Sequence, residues 1–512
     1  MARRLLGVSL LLLLVTSSQA AEKFDFSQVV EQARQRAARA YEAPEPIPNF
    51  MRELSYSQYQ DIRFNPDKSL WKEGQSPFQV MLMAPGLYFT HAVKINLIEQ
   101  KGVKNLPFQK DFFTFTDPEL EKRVPPDLGY AGIKLTFPFF DKAIQNQFVV
   151  FAGASYFRGV GKHNGWGISS RGIAVNTGLP GGEEFPSFVE FWLEHPTANA
   201  RSMRVFGLLD GPSMSGAYEF LITPGEQTVV KVKSVLFPRE SIQLMGVAPL
   251  TSMFFFGENT ARPRGEWRAQ VHDSDGLLIQ NGTGEWLWRP LINPINLEMD
   301  YFATQDVQGF GLLQRDTDFA SYHDLGARYE IRPSTWVKPE GKWGPGHIVL
   351  VQLPTNVETN DNIVAFWSPQ SPAQINTPYH IGYTLTFGDT DVVNTKTGYV
   401  KNTFVGDGNI VGGGTRQGAY RVVVDFAGGE LDKLKADAMV QSNVNGVDGT
   451  EVFEHFVEYN PVDKSWRLSM LAKPAEGKSL NLRGYLHEKD RPLSETWTYR
   501  LPPMNDILPK DQ

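Results

Sequence analysis

The sequence predicts a mainly β protein built from two β-sandwiches, a large N-terminal one and a smaller C-terminal one. Three observations carry this. Short β-type runs recur along the 512 residues, each broken by Gly, Pro, Asn or Asp. Glycine (46) and proline (34) are abundant and aromatic residues reach 12%, which suits turns and packed sheets. Helical periodicity is confined almost entirely to one N-terminal segment.

The elements follow in order. Arg3 and Arg4 precede an apolar run over 5–15, then Ser18-Gln19-Ala20. This reads as a secretory leader over 1–20, cleaved after Ala20, because the run is shorter than the ~20 residues that span a bilayer. Phe26, Val29, Val30, Ala33, Ala37, Ala40 and Tyr41 then recur at helical spacing. Asp25 or Ser27 can cap this helix, and Pro44, Pro46 and Pro48 close it. Strand-like runs follow at 78–83, 93–98, 147–152, 189–193, 203–209, 228–232, 347–353 and 379–387. The stretch 388–414 is polar and rich in Gly and Asp, as linkers and loose hairpins are. Beyond it lie a small helical patch near 431–436 and runs at 420–426, 452–459, 466–471, 479–486 and 496–501. That is about the size of one immunoglobulin-like sandwich. The expected organisation is a large domain over 22–388, a linker over 389–398 and a small domain over 399–512.

Composition excludes several chemistries. The chain has no cysteine, so thiol nucleophiles, thiolate zinc and iron–sulfur sites are ruled out. Net charge is −7, becoming −9 without Arg3 and Arg4, which argues against nucleic acid as a partner. No two of the nine histidines lie within five residues, so no paired-histidine metal motif exists. Asp389-Thr390-Asp391 and Asp407-Gly408-Asn409 lack the bidentate glutamate of a calcium loop. No nucleophile elbow or phosphate loop occurs. Neither a metal nor a cofactor is expected.

What remains is a carbohydrate signature: carboxylates for acid–base work, beside rings that stack on sugars. Two clusters concentrate it. One is His272-Asp273-Ser274-Asp275-Gly276 followed by Glu285-Trp286-Leu287-Trp288-Arg289; the other is Glu358-Thr359-Asn360-Asp361-Asn362. The bland reading of each is a solvated Asx turn, and one of the alternating Trp286 and Trp288 is expected in the core. A third feature is Gly153-Ala154-Ser155-Tyr156-Phe157-Arg158 with Gly167-Ile168-Ser169-Ser170-Arg171-Gly172. It reads as a tight hairpin under a cleft, or as plain sheet packing.

In order along the chain, these motifs, with Gly182-Glu183-Glu184-Phe185-Pro186, Gln308-Gly309-Phe310-Gly311-Leu312-Leu313-Gln314-Arg315 and Ser494-Glu495-Thr496-Trp497, resemble the osmoregulated periplasmic glucan biosynthesis family, proteins G and D. The short leader is similar to that of the G branch. The resemblance implies a galactose-mutarotase-like large sandwich with a long cleft and an immunoglobulin-like C-terminal sandwich. It implies a periplasmic location and a role in making the β-1,2-linked glucan backbone. Some members act as inverting endo-β-1,2-glucanases. By resemblance, Asp361 is then the general acid and Asp273 the general base, which reaches its water through intervening groups. Tyr329 sits where the family has a cleft tyrosine. His272, Glu358, Trp286, Arg315 and Arg171 are the further expected substrate-binding residues. Implied partners are β-1,2-glucan and the inner-membrane glucan synthase, with homodimerisation open and no transmembrane segment after cleavage. The alternative is a non-catalytic glucan-binding scaffold that receives nascent chains from that synthase. Gly282-Thr283-Gly284 and Val175-Asn176-Thr177 depart from the family pattern without touching the two aspartates.

Overall fold

Residues 24–503 are described by the computed structural model, so the leader read at 1–20 lies outside the described residues. Alternation builds the layers. In strand Thr228–Pro238, Thr228, Val230 and Val232 point inward, while Lys231 and Lys233 face solvent. Strands of this kind assemble into a fifteen-stranded sheet and a ten-stranded sheet. Val80, Ile133, Val149 and Leu350 of the smaller sheet pack against Val205, Phe220, Val230 and Leu385 of the larger. Burying such rows away from water is the main stabilising term of a sandwich. The expected mainly β, layered architecture is what the chain adopts.

Among the described residues, the one long helix runs over Phe26–Ala37 with Asp25 as its N-cap. Its buried stripe, Phe26, Val29, Ala33 and Ala37, covers Trp192, Phe206, Leu208 and Val235 on the outer face of the large sheet. The helix stops before Ala40 and Tyr41, which the periodicity had included. Once Ala37 is seated, neither later residue reaches the buried face.

The polar stretch after Gly388 differs from the linker-and-loose-hairpin expectation. Tyr399–Asn409 is one eleven-residue strand paired with Thr415–Ala427. Its glycines are absorbed by register shifts at Val400/Asn402 and Asp407/Asn409, and Gly412, Gly413 and Gly414 form the hairpin tip at positive φ. The patch near 431–436 is only a 3₁₀ turn, Leu431–Lys433. Residues 389–398 are tied down: Asn164 Nδ2 donates to Asp389 Oδ1 at 2.6 Å, and Gln227 Nε2 to Asp391 Oδ1 at 2.8 Å.

Of the C-terminal strands, Tyr399–Asn409, Thr415–Ala427, Glu451–Asn460 and Ser465–Lys473 form a sheet of their own, while the others are joined to the large sheet itself. Thr496–Leu501 pairs in parallel with Trp286–Pro290 through Leu287 with Thr496 and Trp288 with Trp497. One apolar cluster therefore mixes Leu278, Trp288, Leu313 and Trp336 with Val422, Leu468, Leu482 and Trp497. Across this seam, Arg315 donates to both oxygens of Glu495, at 2.6 and 3.0 Å, and to the Val400 carbonyl at 2.8 Å. Its guanidinium lies 3.5 Å from the Trp288 ring centroid. Glu495 is 1% exposed and also accepts the Val400 N–H at 2.7 Å. Removing one partner of such a buried pair strands the other charge, which costs about 3 kcal/mol. Glu495→Ala is therefore expected to lower unfolding stability in urea by about 3 kcal/mol. A loss under about 1 kcal/mol, the range of an exposed pair, would show that the seam does not depend on this clamp.

Candidate active site

Two consecutive peptide groups gather the two aspartates. Strand Phe254–Phe256 pairs with Val271–His272, and the Asp273 N–H donates to the Met253 carbonyl at 2.8 Å. From 108 positions away in the chain, Asn362 closes on the Phe254 backbone. Its Oδ1 accepts the Phe254 N–H at 2.9 Å, and its Nδ2 donates to the Phe254 carbonyl at 3.0 Å and to the Leu353 carbonyl at 3.0 Å. Strand Ile363–Pro369 starts directly after, with Ile363 opposite Ser252. Asp361 and Asp273 are thereby brought near enough for the Asp361 charge to act on the Asp273 carboxyl. A buried Ser252–Ser274 hydroxyl pair at 2.7 Å fastens the second layer.

Each aspartate faces an arginine, in a different way. Asp361 is partly exposed and forms an ion pair with Arg158 at 3.0 Å. Asp273 is buried, and Arg332 Nε stands 3.5 Å from its Oδ1, which has no hydrogen-bond partner. Burial pushes the Asp273 carboxyl up to about 6; Arg332 pulls the other way, and Asp361 pushes it further up. Tyr329 lies in the short turn Tyr329–Ile331, just after Arg328 in the left-handed region (φ 50°). Its ring carries the Arg332 guanidinium at 5.2 Å. Burial, and next the Glu358 and Asp273 charges, hold its hydroxyl well above the usual phenol range. Glu358 pairs with Arg268 at 2.6 Å.

The structure brings Asp273, Asp361, Tyr329 and Glu358 into one constellation. The other expected binding residues have different surroundings. His272 is fully buried, stacked on Phe254, and its ring nitrogens meet Gln314 Oε1 and Gln270 Oε1, both at 2.9 Å. Its ring is thus packed among Phe254, Gln314 and Gln270, whereas Asp273, just past the end of the strand, meets Arg332. Arg315 is held in the domain seam. Trp286 stacks on Trp336 at 5.8 Å beside the same seam. Arg171 lies close by but is buried, and it donates to Thr251 Oγ1 at 2.9 Å and to Glu183 beneath the Tyr156 ring. Asp275 accepts the Arg315 and Asp316 backbone N–H groups, so the second aspartate of His272-Asp273-Ser274-Asp275 is a turn former.

Sequence reasoning passed over Arg332, Arg268 and Gln314. Gln314 Nε2 donates to the His272 carbonyl at 2.9 Å and the Tyr329 carbonyl at 3.1 Å, tying the two segments together. Its neighbour Arg315 drew attention instead, because an isolated glutamine carries no chemical signature in a sequence.

The chain matches the family model described as "Periplasmic glucan biosynthesis protein, MdoG" over residues 24–501. It belongs to this family. Among solved structures, the Slr1438 protein from Synechocystis sp. PCC 6803 is similar at 10% identity, over 68% of this chain and 99% of that one. Its TM-score of 0.15 is too low to bear on the fold. Membership gives the chain a part in periplasmic glucan biosynthesis. Among the described residues, no helix is long and apolar enough to cross a membrane.

The buried Asp273 carboxyl has a stability signature. Its folded-state value, about 6, lies above the ordinary aspartate value of 3.8, so ionisation is unfavourable to folding. The penalty is absent below the unfolded value and complete above the folded one. Asp273→Asn is expected to raise unfolding stability at pH 8 by about 3 kcal/mol, with the gain vanishing near pH 4. Denaturant melts at the two pH values check this. A gain independent of pH would contradict it.

Proposed function

We propose that this protein is an inverting endo-β-1,2-glucanase acting on the periplasmic glucan backbone, with Asp361 as general acid and Asp273 as general base. The observation that supports it is the Asp273–Asp361 constellation, in which each carboxyl faces its own arginine and one lies against a buried tyrosine. A base works best with a value near the working pH, and Asp273 at about 6 is ionised at neutral pH yet still basic. Its Oδ1 has no hydrogen-bond partner and is buried, so a proton from water would reach it through an intervening hydroxyl. An acid must hold a proton, so glucan binding has to part Asp361 from Arg158 before the leaving oxygen is protonated. Inversion needs room for water between the carboxyls. Exposed rings flank the constellation: Trp267 is next to Arg268, and Phe185 lies 5.5 Å from the Arg171 guanidinium. Such faces suit sugar stacking. The protein would set the length of chains handed on by the inner-membrane synthase.

The test is release of reducing ends from linear β-1,2-glucan. Wild type is expected to cleave, with kcat/KM falling below pH about 6 as Asp273 takes up its proton. Asp361→Asn is expected to lose about 100-fold or more. Equal cleavage by Asp361→Asn would overturn the assignment. Glucan binding without cleavage by wild type would leave the scaffold reading in its place.

A further inference from the structure

The two arginines that face the two carboxylates are anchored on two consecutive peptide units. Arg158 Nη1 donates to the Gly167 carbonyl, and Arg332 Nη1 donates to the carbonyl of the preceding residue, Trp166. Arg332 Nη2 also donates to the Ala327 carbonyl at 2.8 Å. These two side chains come from distant segments, yet consecutive carbonyls set their spacing. The loop carrying them is itself fixed. Gly165 N–H donates to the Ile331 carbonyl at 2.8 Å, and Asn164 Nδ2 to Asp389 Oδ1 at 2.6 Å. The contact leaves no spare volume. A Cβ on Gly167 would lie 3.1 Å from Arg332 Cδ, 3.3 Å from Arg332 Cβ and 3.3 Å from Pro333 Cδ.

We propose that Arg332 is a positioning residue for Asp273, held at its set-back distance by the Trp166–Gly167 crossbar that also seats Arg158, the partner of Asp361. The distance matters chemically. A guanidinium in bidentate contact would cap the carboxylate and take its lone pairs. At 3.5 Å, Arg332 offers charge and leaves Oδ1 unpartnered. The planar fork is what allows this: two of its nitrogens are fastened to the Trp166 and Ala327 carbonyls, so the group cannot swing onto the carboxylate. The charged groups around Asp273 are Arg332, Asp361 and Arg158, with the His272 ring and the Tyr329 hydroxyl also close. Of these, Arg332 exerts the largest pull toward the ionised form.

The role of Arg332 in catalysis rests on the hydrolase reading, so the test has a readout apart from activity. In the full chain carrying ¹³C-carboxyl aspartate, the Asp273 resonance is assigned by its loss in Asp273→Asn, and its titration is followed by NMR. Arg332→Gln is expected to raise the midpoint by about one pH unit. Arg332→Lys keeps the charge without the fork and is expected to shift it less. Gly167→Ala should move it in the same direction as Arg332→Gln, whereas Gly181→Ala, whose Cβ meets nothing within 4 Å, should not. With linear β-1,2-glucan, the acid limb of kcat/KM should follow the same order. An Asp273 midpoint unmoved by Arg332→Gln, or moved by Gly181→Ala as much as by Gly167→Ala, would overturn the proposal. Shifted midpoints with no cleavage by wild type would uphold the positioning role and remove the hydrolase reading instead.

Discussion

The site depends on the grip of Asn362 and Asp273 on the backbone of Met253 and Phe254. Every other feature of the constellation is an elaboration of that lacing. A carboxamide is well matched to it, because one side chain both accepts and donates to a single residue's peptide groups. The result is a fixed relation between two carboxylates that a loop alone would hold loosely. Preorganisation of this kind is what places a reacting bond between groups without reorganisation at the moment of reaction. The neighbouring arginines then differentiate two chemically identical side chains. One aspartate is partly exposed and paired, the other buried and set back from its cation.

The second constraint is the seam. Sheet pairing, a shared apolar cluster and the Arg315–Glu495 clamp make the C-terminal strands part of the same folded body as the large sandwich. Asp275 caps the Arg315 and Asp316 backbone two residues after Asp273, so the clamp and the cleft share one turn. The C-terminal unit thus underlies the geometry of the site without facing it.

Much of this was legible in the sequence. Alternating runs and turn residues announced the sheets, and the one helical stripe announced its helix. The two aspartates were picked out by resemblance to the family, since on composition alone each Asx-rich loop read as readily as a solvated turn. What was hidden depends on partners far along the chain. Arg315 looked like a ligand for sugar because its carboxylate lies 180 positions on. Arg158 looked like sheet packing because Asp361 is 203 positions on. His272 was misleading for a similar reason: its ring is taken up by Phe254, Gln270 and Gln314, and a motif read as a string conceals such partners. The glycines after 388 suggested looseness because propensity is local, whereas the pairing with Thr415–Ala427 that straightens them is not.

The central claim is that glucan is cut between Asp273 and Asp361. The most direct measurement is a crystal structure of the Asp361→Asn protein with linear β-1,2-glucan bound. Expected are one glycosidic oxygen beside residue 361, Arg158 drawn away from it, and a water or sugar hydroxyl on Asp273 Oδ1. A chain bound elsewhere, or lying across the cleft with no linkage between the two residues, would contradict it.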